Sequence, residues 1–136
     1  MFKLSVVTPE KTFFEQEAVS IIAPGSEGYL GILTNHAPLI TALIPGKLTV
    51  TDTENRQTDY ALSGGFLEVS HNIVTILADA IEPITEIDLE RAKESELRAR
   101  ERLSQRNGAD IDVTRAEAAM ERALNRIRLK NNNRSS

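Results

Sequence analysis

Apolar and polar residues alternate through the first eighty positions and then change period. Phe2, Leu4 and Val6 alternate with Lys3 and Ser5, the period of a strand with one face buried. Pro9 ends that run, and Phe13-Phe14 opens a second short apolar patch. Val19, Ile21 and Ala23 alternate again until Pro24-Gly25 turns the chain. Leu39 to Ile44 is apolar, and Pro45-Gly46 predicts another turn. Leu48 and Val50 face one way while Thr49 and Thr51 face the other. Asp52-Thr53-Glu54-Asn55-Arg56 reads as a hairpin connection, after which Thr58, Tyr60 and Leu62 resume the alternation. Ser63-Gly64-Gly65 is expected to interrupt the next strand, Phe66 to Val69. Past a turn at His71-Asn72, Ile73 to Ala78 is apolar on both faces and is expected to lie centrally. Short strands with turn signals about every 8–12 residues predict an antiparallel sandwich or barrel.

From Ile87 the period becomes helical. Leu89, Ala92, Ala99 and Leu103 share a face that Glu96 interrupts. Asp88 is placed to cap the first turn, and Asp88 and Glu90 suit the positive end of the helix dipole. Glu94 with Arg98, and Glu96 with Arg100, are favourable i,i+4 pairs. Asn107-Gly108 is expected to end this helix. Thr114-Arg115-Ala116-Glu117 has the spacing of a capping box, with Asp112 as a competing N-cap. Val113, Ala116, Met120, Ala123, Leu124 and Ile127 then form a stripe, and the polar tail Asn131 to Ser136 is expected to fray. The result is a helical hairpin with a thin seam of alanines. At ~25 cal/mol per Å² such small side chains hold it weakly, and isolated helices of this length are marginal in water. The hairpin therefore needs support from the β domain or a partner.

Between two strand-like runs lies the densest punctuation in the chain, Gly25 through Leu39, with three glycines, His36 and Pro38. Glycine permits positive φ and close approach of another backbone. The stretch reads as a shaped docking loop, or as a glycine-rich turn system that only closes the sandwich.

Charge sharpens the division into two units. Of 136 residues, those in 1–84 carry 4 basic and 10 acidic side chains, net −6, and those in 85–136 carry 12 and 10, net +2, together the overall −4. Such a shift marks a boundary between structural units. The expected architecture is α+β, an N-terminal antiparallel β-sandwich (1–84) followed by a C-terminal antiparallel two-helix hairpin (85–136). No run of ~18 apolar residues is present, so no membrane-spanning segment is expected. Thr8, Pro9, Glu10 and Lys11 interrupt any signal-peptide core at the N-terminus. With no cysteine there is no disulfide framework, thiol nucleophile or zinc–thiolate site.

Little points to catalysis. His36 and His71 are the two histidines, and His36, beside Asn35 and Pro38, reads best as a turn or packing residue. No nucleophile–base set, phosphate loop or metal-ligand spacing is visible. Nucleic-acid binding is not expected, because the basic residues are interleaved with acids and the helical half lacks an aromatic platform. Arg115, Arg122 and Arg126 fall on roughly one helix face, with Arg91 on the facing helix. They form either a solvated face or a site for a carboxylate patch or phosphate.

Val6-Val7-Thr8-Pro9, Gly25 through Leu39, Ser63 through Val69 and Val74 through Ala78 together resemble the epsilon subunit of the rotary F-type ATP synthase, over nearly the whole chain. The helical half looks most like the photosynthetic, thylakoid branch. The resemblance implies a non-catalytic central-stalk subunit bound to gamma and the c-ring, peripheral to the coupling membrane on its F1 side. Its hairpin would lie on the sandwich when compact, and when extended would rise along gamma and oppose ATP hydrolysis. Docking would fall to Glu27, Gly28, Tyr29, Gly31, His36 and Pro38, in the region that faces the ring in this family. Arg115, Arg122 and Arg126 would meet acidic residues of the beta subunits, with the alpha subunits of the F1 hexamer as further partners. Some bacterial members bind ATP through an Ile-Asp-x-x-Arg-Ala motif and two later arginines, here Ile87, Asp88, Arg91, Ala92, Arg122 and Arg126. No cofactor would be required, with ATP as a regulatory ligand, and the isolated chain would be a monomer. The residues leave a second class open, a stand-alone β-sandwich adaptor whose helices dimerise as a short coiled coil. Mass measurement of the purified chain separates the two.

Overall fold

The computed structural model describes residues 1–104 and 113–134. They form β1 (Phe2–Val7), β2 (Thr12–Gly25), β3 (Gly28–Leu33), β4 (Leu39–Asp52), β5 (Gln57–Ser70), β6 (Ile73–Ala78), β7 (Ile81–Pro83), a 3₁₀ turn (Ile84–Glu86), α1 (Leu89–Ser104) and α2 (Val113–Arg134). These divide into two units, Met1–Pro83 and Ile84–Ser136.

In the first unit the strand order is β1-β6-β5-β4-β2-β3. β1 also pairs with β2, so the sheet closes on itself, and β7 adds to β5. The pairings are antiparallel except that of β1 with β6, which is parallel. The expectation of an all-antiparallel sandwich is corrected at that one seam. Local alternation shows that β1 is a strand but carries no record of its partner.

Pro45-Gly46 and Ser63-Gly64-Gly65 do not break the chain into separate strands. Pro45 pairs with Ser63 and Gly46 with Leu62, inside continuous β4 and β5. At this point β5 exchanges neighbours, pairing with β7 through Tyr60–Leu62 and with β6 from Gly65 onward. Gly64 and Gly65 have φ of +109° and +140°, which bends the strand while its ladder with β4 stays in register. A Pro/Gly signal marks a change of direction without saying whether pairing stops.

The closed sheet encloses one core. It includes Phe2, Leu4 and Val6 of β1, Ile21 of β2, Ile32 of β3, Leu48 and Val50 of β4, Leu62, Leu67 and Val69 of β5, and Val74 and Ile76 of β6. β6 lies between β1 and β5 as expected, but only one face is buried, because Ile73 and Leu77 point outward and are exposed. The expected hairpin at residues 52–56 forms. Asp52 Oδ1 accepts the N–H groups of Glu54 (2.8 Å) and Arg56 (3.0 Å), and Asn55 takes φ +64°. Tyr60 packs its ring on Phe13 and Phe14, and burial pushes its phenol above the ordinary pKa.

In the second unit α1 and α2 pack on each other. Ala92 and Ala99 of α1, and Ala116 and Ala123 of α2, are buried. Asp88 caps α1, its Oδ1 accepting the Arg91 N–H at 3.2 Å. Glu96 pairs with Arg100 at 2.7 Å, whereas Arg98 donates to Ser95 Oγ in place of the expected Glu94. Thr114 lies inside α2 and does not cap it. Asn107, Gly108 and Asp112 lie outside the described residues. The polar tail is helical through Arg134, not frayed from Asn131. Just before it Leu129 is buried, and Lys130 Nζ donates to the Thr85 carbonyl at 2.9 Å and the Ile84 carbonyl at 3.5 Å. Tertiary anchoring overrides the weak helix preference of asparagine.

Candidate functional site

The stretch from Gly25 to Leu39 is not one loop. β3 occupies its centre, and Gly25 pairs with Gly28 around a two-residue tip, Ser26-Glu27. Gly28 holds φ +125° there, a conformation that favours glycine. Tyr29 is exposed, yet its hydroxyl accepts the backbone N–H of Lys47 at 3.0 Å, fixing the ring beside β4. Gly31, exposed in mid-strand, pairs with Ile22.

His36 and Pro38 lie beyond the other end of β3. At about 3.3 Å per residue, six strand residues separate the two ends by roughly 20 Å. Glu27, Gly28 and Tyr29 therefore form one candidate surface and His36 and Pro38 another. The His36 ring Nδ1 lies 2.7 Å from the Ala37 carbonyl, and the His36 N–H donates to the Leu33 carbonyl at 3.2 Å. This histidine shapes its own turn, and among the described residues no group of His, Asp and Glu gathers to hold a metal ion.

A further surface carries no motif in the sequence. On the outward face of β4, β5 and β6, Ala42 pairs with Phe66 and Phe66 with Leu77, while Ile40 pairs with Glu68 in the next row. Ile40, Phe66 and Leu77 are 73%, 57% and 54% exposed. They line a groove of about 250 Å³ with Glu68 and Thr75. Contiguous exposed apolar side chains of this kind mark interaction surfaces. The signal was present in parity: Phe66 alternates with the buried Leu67 and Val69, so it had to point outward.

In the second unit, Arg115 and Arg122 are exposed and Arg126 is half-buried, while Arg91 is exposed on α1. Ile87 and Ala92 are buried, and the Asp88 carboxylate serves as the helix cap. Much of the Ile-Asp-x-x-Arg-Ala pattern thus has a structural role, and Arg91 is its exposed basic group.

Comparison with known families divides the chain at the same seam. Residues 1–84 match the ATP synthase delta/epsilon chain β-sandwich domain, and residues 85–131 match the long α-helix domain of the same chain. The chain belongs to the ATP synthase delta/epsilon family. It is 47% identical over 126 residues to an ATP synthase epsilon chain of Desulforamulus reducens, covering 93% of this chain and 94% of that one. It is also 47% identical over 125 residues to the epsilon chain of Moorella thermoacetica, covering 92% of each. Among solved structures it resembles a chain of the Euglena gracilis mitochondrial ATP synthase, from an OSCP/F1/c-ring structure. The TM-score is 0.72 at 28% identity, covering 87% of this chain and 74% of that one. A chain of the Tetrahymena thermophila mitochondrial synthase shares the fold, with a TM-score of 0.63 at 19% identity, covering 96% of this chain and 93% of that one. Membership of this family makes the chain a non-catalytic subunit of the synthase, which sets aside both the stand-alone adaptor and an independent enzyme.

Proposed function

We propose that this chain is a central-stalk subunit that fastens gamma to the c-ring with its sandwich and restrains ATP hydrolysis with its helical hairpin. It reaches the F1 side of the coupling membrane through the complex. The thylakoid qualifier draws no support from the relatives named above, which are bacterial epsilon chains, and a bacterial coupling membrane is the reading they favour.

The observation that carries the docking role is the exposed apolar strip of Ile40, Phe66 and Leu77. We assign gamma to that strip and to the adjoining end at His36 and Pro38. The c-ring is assigned to the opposite tip, at Glu27, Gly28 and Tyr29, with Gly31 between the two. Phe66→Asp is expected to weaken binding to epsilon-depleted F1 by roughly 2–3 kcal/mol, about 30-fold to 150-fold. Fluorescence titration of labelled full-length chain measures it. An unchanged affinity rules out the strip as the gamma surface.

ATP is the proposed regulatory ligand of the second unit. Arg91, Arg122 and Arg126 are suited to phosphate oxygens. With Ile87 and Ala92 buried and Asp88 capping, the rest of the motif contributes backbone. ATP added to the full-length chain is expected to shift the amide resonances of Arg91 and Arg126. No change at millimolar nucleotide ends the proposal.

A further inference from the structure

Three segments far apart in sequence meet at the end of the sandwich that carries His36 and Pro38, and a single side chain joins them. Asn72 Oδ1 accepts the backbone N–H of Asn35 at 2.8 Å, and Asn72 Nδ2 donates to the Met1 carbonyl at 2.8 Å. The Asn72 carbonyl also accepts the Lys3 N–H at 3.3 Å. The carboxamide is thereby fixed in one orientation, with its oxygen toward the β3–β4 turn and its nitrogen toward the N-terminus. His71 and Asn72 have φ of +52° and +59°, the backbone of a two-residue hairpin turn with both residues left-handed. Asn35 shares that conformation at φ +61°. The joint thus rests on two tight turns that the side chain ties together.

The tie lies outside the core. Asn35 and Asn72 belong to no buried cluster, and the apolar side chains around them point to solvent: Met1, Leu33, Ile40 and Ile73 are all exposed. Ile73 follows Asn72 directly, and Ile40 lies one residue past Leu39, which pairs with Val69 near the same end of β5. The apolar strip of the outward face therefore runs to this end of the sandwich.

We propose that Asn72 is a positioning residue for partner docking. It sets the Thr34–His36 turn against the β5–β6 turn, so that the turn stands beside the outward apolar face of Ile40 and Ile73 that meets gamma. This rests on the assignment of gamma to this end. The Asn35 N–H is the group through which Asn72 acts.

The test uses the full-length chain and epsilon-depleted F1, with three variants. Asn72→Ala removes both side-chain bonds. It is expected to speed hydrogen exchange at the Asn35 amide and to weaken binding about tenfold, with a modest loss of resistance to urea because alanine replaces asparagine at a left-handed position. Asn72→Asp keeps an oxygen for the Asn35 N–H and is expected to recover most of the amide protection and most of the affinity. Ala37→Arg puts a charged, bulky side chain on the turn itself and is expected to weaken binding without touching Asn72. If Ala37→Arg weakens binding but Asn72→Ala does not, or if the Ala and Asp variants are equally impaired, the positioning role is overturned. If Ala37→Arg leaves affinity unchanged, the assignment of gamma to this end falls, and the proposal with it.

Discussion

Gly65→Ala is expected to destabilise the sandwich by about 3 kcal/mol or more, a large share of the roughly 5–15 kcal/mol that holds a small domain folded. Gly65 sits at φ +140°, where residues with a Cβ are strained whatever the space around them. There is also no space. An added Cβ would overlap the Leu77 carbonyl oxygen and lie 3.0 Å from its carbon and 3.1 Å from Ala78 Cα. These neighbours are backbone atoms of β6, hydrogen-bonded in the ladder, and cannot swing aside as a side-chain tip would. Gly31→Ala is the control. Its nearest contact is the Ile21 carbonyl oxygen at 4.0 Å, so an ordinary methyl fits, and the change is expected to lie within about 0.5 kcal/mol of neutral, as surface substitutions do. Urea unfolding of the two variants measures both values. A Gly65→Ala loss under 1 kcal/mol would mean that the corner relaxes at little cost.

Replacing Arg115, Arg122 and Arg126 together with alanine is expected to relieve inhibition of ATP hydrolysis in the reconstituted synthase. At 100° per residue the three fall within about 40° of helix arc, so one acidic surface can meet all of them. Charge-assisted hydrogen bonds are worth about 1.5–3 kcal/mol each. Losing even one such contact shifts the balance between restrained and released states by about tenfold or more. Inhibition constants for wild type and variant, measured on epsilon-depleted enzyme, give the result. Arg126 is half-buried, so helix content of the free chain is followed alongside, and the Arg115→Ala, Arg122→Ala double variant separates lost contacts from lost packing. Undiminished inhibition by a folded triple variant would rule out this face as the inhibitory contact.

Much of the fold was legible because it is written locally. The alternation of Phe2, Leu4 and Val6, the Asp52 turn, the Asp88 cap and the change of period after Ile87 each depend on residues a few positions apart. What failed depends on distant partners. The Pro45-Gly46 signal reads as a turn and Ser63-Gly64-Gly65 as a strand interruption, yet the structure uses them as a shared corner in two long strands. The run of asparagines after Lys130 looked too weak for helix, but the Thr85 carbonyl that holds Lys130 comes from 45 residues earlier in the chain. Of the candidate site, the glycine stretch was found but not its division by β3, because Gly28 and Gly31 take the place of side chains whose alternation would mark a strand. Phe66 was readable as outward-facing from parity alone. Asn72 was not, since an asparagine in a turn gives no hint that its side chain spans to Asn35 and Met1.

The parallel seam between β1 and β6 bears on how the polypeptide matures. Lys3 finds its β6 partner Ile73 about 70 residues downstream, whereas its β2 partner, Glu17, is close by. During translation the N-terminal ribbon of β1 and β2 can form early, but one flank of β1 stays unsealed until Ile73 to Leu77 has left the ribosome. Non-local pairing of this sort is slow and leaves a strand edge open to mispairing. Nascent chains arrested short of that point should therefore aggregate, and those arrested just past it should not.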